Sequence, residues 1–249
     1  ARLEQAKQSR FRPNYPDLLG YFDDGNLKSL LMTGANLVPV NTSLIARQEF
    51  ATALNRSGRR SSSIVGPAEE VLDIWSRVSG TWGPARQVRA NQPVMAMRSN
   101  STVAIDHEVR YSNLSDLDEL LPACIAMFTE EVGISPTLNG GGGAYRNRIS
   151  ELVSARRSFV KYQGTELIFK AEVGTVGAGV AQIQGVWVKP EYRGQGISVP
   201  AMAAVVKLVL ADLAPVVSLY VNDYNEVALN SYRSVGFEQV DTFATVLFN

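Results

Sequence analysis

The sequence has one cysteine and one histidine in 249 residues. With Cys124 alone, no intramolecular disulfide can form, and such usage suits a reducing cytoplasm. Cys124 and His107 together cannot build a zinc site of the Cys/His kind, so no metal is expected. Net charge is also lacking. Lys plus Arg and Asp plus Glu each total 24, so no global field is available to hold nucleic acid or an anionic membrane. The densest basic cluster, Arg56, Arg59 and Arg60, falls at a predicted helix end, where cations complement the helix dipole or are simply solvated. No apolar run is long enough to span a bilayer. The most apolar stretch, 199–217, is interrupted by Lys207, Asp212 and Pro215, and reads as a buried helix followed by a strand. No signal peptide is visible. The chain starts at Ala1 inside a helix-like run to Gln8, which leaves room for a natural N-terminus, and any targeting segment, upstream. At 45% hydrophobic and 19% charged residues, the composition excludes a disordered chain.

What is present is an alternation of strand and helix signals, enough for two ordinary domains. In the first half, 18–22 and 27–40 read as extended runs joined by the turn Asp23-Asp24-Gly25-Asn26. A helix follows from a cap at Asn41 or Thr42 to Ser57, with Gly58 as its stop. Then come a short strand at 63–65, a helix opened by Pro67 and running to Gly80, and a strand at 92–97. A polar seam at 98–106 lacks any helical period. The expected domains are therefore 1–104 and 105–249. The second half reads as a strand at 108–111, a helix capped by Ser115, and a loop ending in Gly140-Gly141-Gly142-Gly143, which reads either as a mobile functional loop or as a plain flexible connector. A helix at 145–155 and strands at 159–162, 167–173 and 180–188 follow. The chain ends with a helix to Asp212, a strand at 216–221, a helix at 225–235 and a strand at 237–248. The fold class is α/β, with α+β character and a mixed sheet.

The chemistry centres on one segment, Val186-Trp187-Val188-Lys189-Pro190-Glu191-Tyr192-Arg193-Gly194-Gln195-Gly196-Ile197-Ser198. A strand ends and a basic, glycine-rich turn leads directly into a helix. Such a turn aims backbone N–H groups and the positive end of a helix dipole at one point, which suits a pyrophosphate. Two glycines in a strand–helix turn are a weak signal by themselves. A second pattern downstream, Asn225, Ala228, Tyr232, Gly236 and Phe237, sharpens it.

These two patterns, in this order and one strand apart, resemble the GNAT acetyltransferase superfamily. Its cofactor motif, Arg/Gln-x-x-Gly-x-Gly/Ala after a strand ending in Val-x-Pro, is similar to Arg193-Gly194-Gln195-Gly196-Ile197-Ser198 after Val188-Lys189-Pro190. Ser198 departs from the family's glycine or alanine but is small and able to donate to phosphate. Pro200 falls in a first helical turn, where its missing N–H is not needed. The resemblance covers roughly 107–249 and implies an N-acetyltransferase with acetyl-CoA as co-substrate and an unidentified primary amine as acceptor. It implies that Val186 and Val188 pair with pantetheine as an added strand. It also implies that Arg193, Gly194, Gln195, Gly196, Ile197, Ser198 and Asn225 bind the cofactor. A bulge at Gln184-Gly185 would splay the sheet. The amine would attack the thioester directly, backbone N–H donors would hold the oxyanion, and Tyr232 would protonate the thiolate. Tyr232 otherwise reads as a half-buried helix tyrosine.

For the base, Gln182 and Gln184 are inert, which leaves Glu172 as the best carboxylate, with Glu130 and Glu131 as weaker ones. Trp187 and Tyr224 could line the pocket or simply pack. Cys124 reads as a buried, inert thiol, which disfavours an acyl-enzyme. The first half repeats the order of the last six elements of the second, which suggests two GNAT-like domains with the N-terminal one degenerate. Its turn, Asn41-Thr42-Ser43, lacks the glycine motif, so no acetyl-CoA is expected there. The whole also resembles an actinobacterial tandem-GNAT-like group with an N-terminal extension domain, and its C-terminal end is similar to the glycine-acyltransferase-like branch. The rival to an enzyme is a non-catalytic acyl-CoA-binding regulatory module, motivated by the two glutamines. Cytoplasmic localisation, no nucleic-acid or membrane partner, and a monomer or homodimer complete the expectations.

Overall fold

The computed structural model describes residues 2–6 and 17–249. In chain order the elements are β1 (Arg2–Ala6), β2 (Asp17–Asp23), β3 (Asn26–Thr33), β4 (Asn36–Val40), α1 (Leu44–Ser57), β5 (Ser63–Pro67), α2 (Ala68–Trp82) and β6 (Gln87–Met97). There follow β7 (Arg110–Tyr111), α3 (Leu117–Val132), α4 (Gly142–Ser154), β8 (Ser158–Gln163), β9 (Glu166–Gly177) and β10 (Val180–Val188). The last four are α5 (Ser198–Asp212), β11 (Val216–Tyr220), α6 (Glu226–Val235) and β12 (Glu238–Leu247), with a 3₁₀ turn at Pro190–Tyr192 before α5. The chain divides into two compact units. One holds the described residues up to Val94 together with Asn222–Tyr224 and Asp241–Asn249; the other holds Met95–Val221 and Asn225–Val240.

In the first unit, β1 to β4 form antiparallel neighbours, and β4 pairs parallel with β5 across the α1 crossover. Ser43 caps α1 by accepting from the Ala46 N–H at 3.2 Å, which satisfies one orphan donor of the first turn. The core packs Phe50 and Leu54 of α1 and Val71, Ile74 and Val78 of α2 with Ile64 of β5 and with Ala244 and Val246. Those last two reach this core because β12 pairs antiparallel with β5 from Phe243 to Leu247.

The second unit repeats the arrangement. Strand order is β11-β10-β9-β8-β7, and β10 pairs parallel with β11 across the α5 crossover. Its central strands are apolar on both faces, as sheet strands covered by helices on both sides must be. Phe159, Phe169, Ala171 and Val173 pack with Met202, Val205 and Val209 of α5. Val160, Leu167 and Trp187 pack with Leu120 and Cys124 of α3 and with Ile149 and Leu152 of α4.

Four local readings differ from the sequence expectation. The helix-like start is a strand, β1, paired with β2 from Arg2↔Phe22 to Ala6↔Leu18; sheet pairing overrides a weak helix preference. Residues 7 and 8 of that run lie outside the described residues. The run 27–40 is two strands, β3 and β4, rather than one. The four-glycine segment is no open connector: Gly142 and Gly143 open α4. Burial of Ile149, Leu152 and Val153 along α4 outweighs glycine's cost of ~1 kcal/mol per helical position. Asn113, not Ser115, provides the cap before α3, in a capping box with Asp116.

Phe50 is wholly buried, so Phe50→Ala should destabilise the chain by about 3–5 kcal/mol, read as a lower urea midpoint.

Candidate functional site

β10 pairs with β11 only over Val180–Gln182. Beyond Gln182 it continues alone on that side for six residues to Val188, so a gap opens between the two strands. On its other side β10 pairs with β9, with Gln184↔Glu172 and then Trp187↔Lys170. Three steps on β10 oppose two on β9, which is a bulge at Gly185-Val186. Gly185 has φ +60, a conformation glycine adopts without strain.

Past the bulge, Lys189 N–H donates to Ile168 O at 2.9 Å, toward β9. Strand amides alternate sides, so Val186 and Val188 turn their backbone groups to the gap. The Val188 carbonyl accepts from Arg193 Nε at 3.0 Å. The free edge therefore keeps the Val186 N–H and C=O and the Val188 N–H.

The turn is built to stay in place. Glu166 on β9 accepts from Tyr192 at 2.7 Å and from Lys189. The Lys189 ammonium and Tyr192 hydroxyl hold that carboxyl below its ordinary range. Arg193 also reaches Glu130 at the end of α3, at 2.9 Å. Gln195 closes the turn on the Glu191 carbonyl at 3.0 Å. Gly194 and Gly196 have φ +75 and +76, and a Cβ on either would meet no atom within 4 Å. Among the described residues no hydrogen bond takes the N–H groups of Gly194, Gln195, Gly196 or Ile197. These donors stand at the N-terminus of the 15-residue α5, where the dipole is positive. Pro200 lies in the first turn of that helix, as its missing N–H requires. Ser198 Oγ lies 3.2 Å from Ser231 Oγ, next to Tyr232.

Tyr232 projects from α6 and stacks edge-on with Phe237, centroids 6.0 Å apart. Burial, with the Glu131 carboxylate adding to it, pushes its phenol above its ordinary value. It is thus a neutral donor across the physiological range. Asn225 caps α6, its Oδ1 accepting from the Ala228 N–H at 3.2 Å. Glu172 is buried at 3% exposure. Its Oε1 accepts from Lys170 Nζ at 2.6 Å and from Cys124 Sγ at 3.2 Å. Burial pushes the Cys124 thiol to about 12, so it stays protonated and a poor nucleophile. Trp187 is packed inside at 8% exposure, whereas Tyr224 is 64% exposed and belongs to the first unit. Gln184 packs its amide on Gly174, where a Cβ would lie 2.2 Å from it. Lys170 is the feature that the sequence concealed; its only signal is a lysine inside an apolar strand two residues before Glu172.

The corresponding turn of the first unit is closed by its own side chains. Glu70 Oε2 accepts from the Thr42 N–H at 3.0 Å and from Thr42 Oγ1 at 2.5 Å. Asn41 takes a left-handed φ of +52 without glycine.

Residues 143–237 match the acetyltransferase (GNAT) family. The second half of the chain carries a GNAT acetyltransferase domain. Residues 16–120 match a domain of unknown function, DUF4081. No curated protein matches the chain in sequence. Among solved structures it is similar to a GNAT-family acetyltransferase from Colwellia psychrerythraea, with TM-score 0.59 and 12% identity, covering 94% of this chain and 86% of that one. A GCN5-related N-acetyltransferase from Sphaerobacter thermophilus has TM-score 0.59 and 14% identity, covering 94% and 81%. A tandem GNAT protein from the clavulanic acid biosynthesis pathway has TM-score 0.54 and 12% identity, covering 94% and 84%. At such identities the likeness is one of fold. Among the described residues of the GNAT domain and the first unit, no cluster of three His, Cys, Asp or Glu could hold a metal, and no helix is long and apolar enough to cross a membrane.

The raised Tyr232 value sets a pH dependence. The unfolded phenol ionises near pH ~10 and the folded one higher. Stability from this group is complete below the unfolded value and is lost as pH rises through the folded one. Between about pH 9 and pH 11, the wild type should lose more stability in urea unfolding than Tyr232→Phe does.

Proposed function

We propose that the GNAT domain transfers an acetyl group from acetyl-CoA to a primary amine by direct attack. The observation that carries this is the set of idle N–H groups from Gly194 to Ile197 at the start of α5, beside a strand edge with unpaired backbone groups. The turn would take the pyrophosphate, with the Ser198 hydroxyl in reach, and Val186 and Val188 would pair with pantetheine as one more strand. Arg193 contributes by fixing the turn through Val188 and Glu130. Asn225 contributes by starting α6 and so placing Tyr232.

The amine nitrogen attacks the thioester carbonyl carbon, and the carbon–sulfur bond then breaks. Tyr232 gives its proton to the leaving thiolate, and the nitrogen loses a proton to a base. Glu172, the carboxylate assigned to that step, has Oε2 to offer, since Oε1 is held by Lys170 and Cys124. That same pairing favours a second reading, an acyl-CoA-binding module without turnover. The first unit, whose turn is filled by Glu70, takes no acyl-CoA in either reading. Its residues, 1–104, would serve as a degenerate GNAT-like companion to a catalytic domain at 105–249. With one buried thiol, the chain suits the cytoplasm.

Calorimetry with acetyl-CoA tests the site directly. We expect one molecule bound per chain, and loss of binding in Arg193→Glu/Gly196→Asp; two molecules per chain, or a variant that binds as well as wild type, would remove this reading. With an amine panel, Tyr232→Phe should lower turnover by about 10²–10⁴-fold with acetyl-CoA affinity kept. Equal behaviour of Tyr232→Phe and wild type would favour the binding module.

A further inference from the structure

Lys170 is wholly buried and Glu172 nearly so, yet the two form an ion pair at 2.6 Å in the middle of β9. Such a pair is not explained by stability, because apolar side chains of like volume generally serve a protein interior as well or better. Burial acts to lower the Lys170 value, and the Glu172 carboxylate together with Cys124 more than reverses this, so the lysine stays charged. The groups around the pair are Cys124 of α3, whose thiol donates to Glu172, and Tyr145 of α4, whose hydroxyl donates to the Cys124 carbonyl at 3.1 Å.

The position of the pair is the telling fact. Glu172 and Lys170 are the β9 residues opposite Gln184 and Trp187, so they flank the bulge at Gly185-Val186. A Cβ built on Gly185 would lie 3.2 Å from Lys170 Nζ and 3.3 Å from Glu172 Oε2, with Met127 Cε at 3.0 Å. The charged ends thus fill the space beside Gly185 that a side chain there would need.

We propose that Lys170 and Glu172 are a positioning pair that buttresses the Gly185-Val186 bulge and so sets the strand edge that receives the acyl-pantetheine arm of acyl-CoA. The inference rests on the reading of this cleft as an acyl-CoA site. The pair touches neither the turn nor the pyrophosphate donors, so it acts on one end of the ligand. A lysine and a carboxylate at full burial give a rigid spacer whose length is fixed by a hydrogen bond, where two apolar chains would settle by packing alone.

The test compares acetyl-CoA with ADP, which carries the pyrophosphate but no pantetheine, by calorimetry on the full chain. Lys170→Met alone leaves a buried carboxylate unpaired and is expected to lose stability. Lys170→Met/Glu172→Met removes both charges and is expected to fold. In this double variant we expect acetyl-CoA affinity to fall about tenfold while ADP affinity stays within about twofold. Unchanged acetyl-CoA affinity overturns the proposal. A parallel loss for both ligands also overturns it, since it marks general damage. If wild type binds ADP but gains nothing from the acyl-pantetheine arm, the buttressed edge is not a ligand edge and the proposal fails while the turn stands. If wild type binds neither, the cleft reading itself fails first.

Discussion

The site depends on β10 keeping one neighbour and losing the other. From Val180 to Gln182 it is paired on both sides; from Ile183 onward only β9 holds it. A strand released in this way has backbone groups that must find partners outside the sheet. The bulge re-aims that edge, and the glycine turn begins where the strand ends. One backbone event therefore both frees a strand edge and sets the direction of the helix that follows the turn. The side chains around it mostly serve this geometry. Arg193, Gln195 and Glu166 bond within the turn or to it, and the amides of the turn are left without protein partners among the described residues.

The parts of this arrangement that were readable in the sequence are those written locally. The glycine turn, the cap at Asn225 and the register of Tyr232 each follow from residues a few positions apart, and so does the bulge at Gly185. Long-range features were not readable. β9 is apolar on both faces, so nothing in Leu167 to Val173 tells which side Lys170 and Glu172 occupy or that they meet Cys124. The strand β1 carries no alternation of its own and exists through its pairing with β2. The assignment of Asn222–Tyr224 and Asp241–Asn249 to the first unit is likewise a matter of tertiary pairing, invisible to a reading that proceeds along the chain. The glycine run misled for a different reason, since composition suggested freedom where packing further along α4 imposed order.

The GNAT assignment and the local geometry support one another at different levels. Family membership of 143–237 speaks to acetyl transfer, and the fold of the structural neighbours extends over most of the chain. What the site itself adds is a division of labour among charged groups. Glu130 balances Arg193, Glu131 adds to the raised value of the Tyr232 phenol, and Glu172 faces the bulge from a buried ion pair. Three carboxylates near one cleft thus have three different surroundings, and only the environment separates their parts.

The carboxylate of Glu70 at the start of α1 gives the first unit a different standing from the second. It is an anion tethered to the chain, so its local concentration never changes. Dilution, starvation or competition cannot strip it from Thr42, and the helix it meets is complete as soon as the unit is folded. The amides from Gly194 to Ile197 have no such acceptor within the chain among the described residues. One unit has internalised the partner of its helix start, whereas the other leaves the equivalent amides open to whatever surrounds them.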